Sequence, residues 1–330
     1  MGYWEKRQQQ LITAMEKDEA QLNRRLTETY EIEADRLEKH IAAYYMKYGK
    51  DEVIEYRDLL KALTPEEYSL LMRDMDEFAE LYPQYEHLIP ARKSAYIINR
   101  LEGLQISVRM QQLKIGALEQ REVENHLNKI AERSYDAVLE KTGSVGEINP
   151  NIVKSVVNTN WTGKGTFSQS IWGNTQKLSN MMNTSISSAI ARGDNYDSIV
   201  RKLRKEFMVG KKEAYRLIYT EGTFVMNEAS AQAIEKMFDY YSVEPIRDGK
   251  ACERCLSIAS DTASKPVRYS DRVAGLNFPP FHPWCRCSTI IVIPDKQEWI
   301  ERYVMTHGGD PQISNEQKEK ARQVIKDFVA

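Results

Sequence analysis

The sequence predicts a mainly α protein with long N-terminal helices and a small α+β module near its C-terminus. Three observations carry this. Apolar residues recur at helical steps over most of the first 240 positions. Short β-branched and aromatic runs appear only from Tyr240 onward. All four cysteines lie between those runs.

Residues 3 to about 48 are dominated by charged and polar side chains. Leu11, Met15, Leu22, Leu26, Tyr30, Ala34, Leu37 and Ile41 recur among them at helical steps, so the first element is an amphipathic helix. YGKDEV, residues 48–53, breaks it. LTPEEYSLLMRDMDEF then starts a second helix, with Thr64 as its cap, Pro65 at the first helical position and Glu66 and Glu67 in the first turn. LYPQYEHLIP interrupts that helix, and a third, very long helical pattern runs from Ala91 to about Lys141. Residues 1–141 therefore form a long helical domain, suited to docking on a larger body. An ordinary helical bundle is compatible with the pattern and is the plainer reading of it.

Residues 142–174 are rich in Gly, Asn, Ser and Thr, with Trp161, Phe167 and Trp172 spaced through them, which predicts a turn-rich linker or hairpin. Helical periodicity resumes near 175 and continues to 240, broken at ARGDNYD and Gly210. YYSVEPIRDGKACERC and RCSTIIVIPD each hold a short strand-like run beside turn residues, which predicts a small sheet bracketing the cysteines. That places a compact domain at 175–295. Residues 296–330 close the chain as a tail of two helices around a turn.

A charged share of 28% and an apolar share of 42% fit a globular chain. The formal net charge of -2 argues against coating nucleic acid along the whole length, so any such contact must be local. No run of 18 apolar residues exists to span a membrane. MGYWEKRQQQ lacks the apolar core of a secretory signal, so the expectation is synthesis and folding in the cytosol.

In that compartment clustered cysteines point to metal or redox chemistry rather than to disulfides. Cys252-x-x-Cys255 is followed, after 26 intervening residues, by His282-x-x-Cys285-x-Cys287 within PPFHPWCRC. Pro283 bars that loop from a helix interior or a central strand, so the loop presents one imidazole and two thiols in fixed directions. Zinc takes four thiolate or imidazole ligands in a tetrahedron, and C-x-x-C lets two thiolates reach one ion from a tight turn. A structural zinc held by four of Cys252, Cys255, His282, Cys285 and Cys287 is the leading expectation. Reduced, packed thiols and disulfides in an assembled particle are the competing ones. The chain has no H-x-E ahead of P-C-x-x-C, no HExxH, no G-x-S-x-G and no GxxxxGK[ST], and its other histidines lie outside the loop, so the expectation is a non-enzyme.

RKLRKEFMVGKK sets Arg201, Lys202, Arg204, Lys205, Lys211 and Lys212 against the single acid Glu206, enough to grip a phosphate backbone without reading sequence. The competing reading is a solvated helix face with Leu203, Phe207 and Met208 on its buried side. Further along, Tyr215, Ile218, Tyr219, Gly222, Val225, Ala229 and Ala233 form the core stripe of a helix. Glu221 beside that stripe is expected to form a structural ion pair with Arg216.

The helix segment YRLIYTEGTFVMNEAS, then RDGKACERC, then GLNFPPFHPWCRC resembles the Mu F-like domain of tailed-phage minor head, or head morphogenesis, proteins. The matching positions are Thr220 and Glu221; Asp248, Cys252 and Cys255; and Gly275, Pro279, Pro280, His282, Pro283, Cys285, Arg286 and Cys287. The resemblance covers roughly residues 175–293 and implies a virion component made in the host cytoplasm. It implies association with the portal protein, a role in head morphogenesis and in DNA packaging or ejection, and packaged double-stranded DNA and scaffold or capsid proteins as further partners. The alternatives are a metal-dependent nucleic-acid enzyme and a host-directed effector delivered with the DNA. Some relatives carry toxin domains after this module; the residues that follow Ile293 are too few for one.

Overall fold

The computed structural model describes residues 3–50, 53–142, 149–246, 248–306, 308 and 315–329. In chain order they form α1 (Tyr3–Tyr48), β1 (Gly49–Lys50), β2 (Val53–Ile54), α2 (Tyr56–Leu59), α3 (Pro65–Leu81), α4 (Arg100–Thr142), α5 (Pro150–Val157), α6 (Phe167–Ala191) and α7 (Tyr196–Ile234). Then follow β3 (Tyr240–Glu244), α8 (Glu253–Ser264), β4 (Val267–Arg268), β5 (Ser288–Val292), α9 (Lys296–Thr306) and α10 (Asn315–Val329). The protein is mainly helical with a small C-terminal strand module, the class that the sequence predicts.

Two compact units are present. One comprises residues 22–123 and 168–215. Its core joins Tyr30, Leu37 and Ile41 of α1 to Leu104, Val108 and Ile115 of α4, Met182 and Ile186 of α6, and Leu203 and Phe207 of α7. A second cluster packs Leu71, Met75 and Phe78 of α3 on Ile106 and Met110 of α4. The start of α3 is as its sequence predicts. The Thr64 hydroxyl accepts from the Glu67 N–H at 3.3 Å, and the Glu67 carboxylate accepts from the Thr64 N–H at 2.9 Å. This reciprocal capping box satisfies two orphan donors and is worth about 1 kcal/mol.

α4 departs from expectation, beginning at Arg100 rather than Ala91. The Leu63 N–H donates to the Ile98 carbonyl and the Arg100 N–H to the Lys61 carbonyl, holding this stretch extended. Asn99 then caps the helix, its side-chain oxygen accepting from the Glu102 N–H at 2.8 Å. Pairing with residues far back in the chain overrides local periodicity.

The other unit comprises residues 1–21, 124–167 and 216–330. Its three-stranded antiparallel sheet has the order β4-β3-β5, with Tyr240 opposite Val292 and Glu244 opposite Ser288. Phe238, Tyr241, Tyr269, Phe278, Phe281 and Trp299 fill the core around it, and Cys255, Cys285 and Cys287 belong to the same core. Within the stretch expected as a turn-rich linker, the structure forms α5 and begins α6. Asn149 caps α5 through its side chain and Pro150 takes the first helical position. Residues 143–148 of that stretch lie outside those described.

Candidate metal centre

The site is built from three stretches of this second unit. Cys252 is the N-terminal cap residue of α8, and Cys255 lies in the helix's first turn. Facing them is the loop from Gly275 to Cys287. Gly275 has φ +82°, a conformation open to glycine at little cost, and its N–H closes the loop neck on the Phe278 carbonyl at 2.9 Å. The Pro279–Pro280 peptide is cis. The Cys285 N–H then donates to the His282 carbonyl at 3.2 Å, with Trp284 at φ 64° inside the turn. A left-handed conformation costs a non-glycine residue about 1–2 kcal/mol. The Trp284 ring packs against Tyr219 of α7 at 5.2 Å between centroids.

α7 supports the loop from behind. The Thr223 hydroxyl lies 3.0 Å from the Cys285 carbonyl. The Asn227 amide uses both hydrogens, on the Thr223 carbonyl at 2.9 Å and the Cys287 carbonyl at 3.1 Å. Both side chains are buried. Arg286 grips Asp248 with two hydrogen bonds, at 2.6 and 2.9 Å, which ties the loop to the segment leading into α8. That ion pair holds the Asp248 carboxyl down at about 2. The sequence displays Asp248 and Arg286 as separate motif positions, and only the structure pairs them.

The five expected ligands come together. The His282 Nε2 lies 3.3 Å from the Cys252 sulfur and 3.2 Å from that of Cys255, and the Cys255 and Cys285 sulfurs are 3.9 Å apart. Cys252, Cys255 and His282 form one close group, and Cys255, Cys285 and Cys287 another. The His282 Nδ1 lies 2.7 Å from the Pro283 carbonyl, so Nδ1 carries the proton and Nε2 turns its lone pair to the thiols. The neighbouring Cys287 thiol draws Cys285 below the usual thiol range, against burial. Cys287 is driven upward by the same contact with Cys285 and by burial. A tetrahedral zinc sets two sulfurs about 3.8 Å apart, and a sulfur and a nitrogen about 3.5 Å apart. The donors suit such an ion in type, and the His282–Cys252, His282–Cys255 and Cys255–Cys285 distances lie within a few tenths of an ångström of those values, while the close donors group in threes rather than in one set of four.

The other expected site residues lie elsewhere. Arg201, Lys202, Arg204, Lys205 and Lys212 are exposed on α7 and Lys211 is half-buried. Arg204 is engaged by Glu38 at 2.5 Å and Asp35 at 2.9 Å of α1. Leu203 and Phe207 are buried, but Met208 is 46% exposed and Glu206 is buried in its stead, taking the Ser185 hydroxyl. Met208 lies one helical step beyond the Leu203–Phe207 stripe, which puts it off the packed face.

Glu221 finds a different partner from the expected Arg216. Five positions apart on a helix, the two point about 140° away from each other. The Trp161 indole N–H donates to the buried Glu221 carboxylate at 2.9 Å, while its ring stacks on Phe224 at 5.3 Å. Burial pushes the Glu221 carboxyl up to about 7, with the indole N–H opposing. The neighbouring Thr220 hydroxyl accepts from the Trp284 N–H at 3.4 Å. No sequence signal links Trp161 to Glu221 across 60 residues.

Residues 180–290 match the family model described as Phage Mu protein F like protein. This match supports a phage head morphogenesis protein, and it suggests phage capsid partners and a virion or phage-associated location. No curated protein and no solved structure matches the chain. Among the described residues, no helix is long and apolar enough to cross a membrane.

Proposed function

We propose that the chain is a minor structural protein of a tailed-phage head. In this reading it associates with the portal protein at the DNA-entry vertex, acts in head morphogenesis and DNA packaging or ejection, and catalyses no reaction. The observation that carries the reading is the Mu F-like match over residues 180–290, which spans the whole cysteine and histidine cluster. A docking role is supported by the length of α1, α4 and α7 and by apolar side chains left in solvent, Tyr96 at 93% exposure foremost. Local contact with packaged DNA is supported by the exposed cations of α7, less Arg204, whose charge α1 already neutralises. A structural zinc in the Cys/His cluster belongs to the same proposal, supported by donor type and spacing.

The test is co-expression with the portal protein of the same phage, followed by affinity capture and by mass spectrometry of purified heads. Stoichiometric capture, and presence in heads at a copy number far below that of the major capsid protein, are the expected results. Absence from the heads would remove the structural reading.

A further inference from the structure

We infer that α7 meets DNA through one ridge of three cations, Arg201, Lys205 and Lys212, and that Lys202, Arg204 and Lys211 stand off it. This deepens the DNA contact proposed above and rests on it.

Helix geometry draws the ridge. Each residue turns an α-helix by about 100° and advances it by about 1.5 Å. With Arg201 at zero, Lys212 falls at about 20° and Lys205 at about 40°. The buried Glu206, Leu203 and Phe207 fall between about 140° and about 240°. The three cations therefore stand opposite the packed face, and all three are exposed. Lys205 lies about 6 Å and Lys212 about 16.5 Å along the axis from Arg201. Met208 and Val209, both exposed, occupy the interval between them without adding charge. Within residues 196–212 the one acid near that line is Asp197, in the first turn of α7, where the helix dipole favours a carboxylate.

The other three cations are turned aside. Arg204 falls about 60° to one side of Arg201, and Glu38 and Asp35 of α1 engage it. Lys211 falls about 80° to the same side and is half-buried. Lys202 falls about 100° to the opposite side, where its charge acts on the Glu206 carboxylate. Among the described residues, Lys205 and Lys212 have no ion-pair partner, so both charges remain for a polyanion. A row of solvent-facing cations with no carboxylate between them complements the line of phosphates along one DNA strand. Each phosphate met releases a condensed counterion, whatever the base sequence.

The experiment titrates a fluorescently labelled DNA duplex with the full chain at several salt concentrations and reads anisotropy. Two double variants remove the same charge. Lys205→Gln with Lys212→Gln should flatten the log–log salt slope by about 2 and weaken binding roughly tenfold or more. Lys202→Gln with Lys211→Gln should change that slope by less than about 0.5. Lys205→Arg with Lys212→Arg keeps both charges and should keep the parent slope. Equal flattening by the two glutamine pairs, or more by the second, overturns the ridge and leaves a diffuse DNA contact standing. An arginine pair that binds as weakly as its glutamine counterpart also overturns the ridge, because charge is then not what the two positions supply. A parent chain that does not bind the duplex overturns the DNA reading itself, and that result is separable because it precedes any substitution.

Discussion

Glu221→Gln isolates the buried carboxyl beside the Thr220 contact to the His282–Cys287 loop. The side chain is almost fully buried, and its one described hydrogen bond comes from the Trp161 indole. Its pKa moves from an ordinary 4.5 to about 7 on folding. The folded chain therefore holds this proton more tightly than the unfolded chain does. The resulting stabilisation is complete below about pH 4.5, declines as pH rises, and is gone once pH passes the folded value near 7. Over that window a shift of this size corresponds to about 3 kcal/mol. Glutamine keeps an acceptor for the indole and carries no charge. The stability of Glu221→Gln relative to the parent should thus climb by about 3 kcal/mol between about pH 4.5 and about pH 7.5. Urea unfolding of both chains at a series of pH values, followed by tryptophan fluorescence, reads the difference directly. A difference that stays flat across the window would refute the reasoning, because it would mean that the carboxyl is solvated and titrates normally.

Trp161→Phe preserves the stack on Phe224 but removes the N–H. It should cost about 1–3 kcal/mol and move the Glu221 transition to still higher pH in the same urea series. Asn227→Ala releases the Cys287 carbonyl from α7 and should weaken zinc binding roughly 10- to 100-fold in a chelator competition. Gly173 is exposed in α6, and a Cβ there would meet nothing within 4 Å, so Gly173→Ala should stabilise by about 0.5–1 kcal/mol. At Gly210 a Cβ would stand 2.5 Å from Leu178 Cδ2, and Gly210→Ala should destabilise by about 1–3 kcal/mol despite the better helix former. Thermal unfolding of the pair shows whether the signs are opposite. Neutralising Lys202, Lys205, Lys211 and Lys212 together should weaken retention on DNA and reduce the salt slope by about 1 for each phosphate no longer gripped. Equal retention by variant and parent counts against DNA binding there.

Local chemistry was legible in the sequence. Thr64, Pro65 and Glu67 announce the start of α3, because a cap needs only residues within one turn. The Leu11-to-Ile41 stripe of α1 is buried as its spacing requires. The cysteine and histidine spacings marked the cluster, because two residues three apart can reach a common point from one turn. Legibility failed where long-range partners decide. Nothing near Ala91 shows that residues 98–100 pair with Lys61–Leu63 instead of coiling. Nothing near Glu206 shows that Ser185 waits to satisfy a buried carboxylate while Met208 is left in solvent.

By itself the sequence determined the helical class, the late strand module and the irregular loop around Pro283. Each follows from backbone and side-chain preferences that act within a few residues. Tertiary structure alone decided that Asp248 locks Arg286, that Thr223 and Asn227 hold the carbonyls of Cys285 and Cys287, and that Trp161 shelters Glu221. Those bonds join residues 38 to 62 positions apart. They form only when folding brings those residues together, because an unfolded chain satisfies the same groups with solvent.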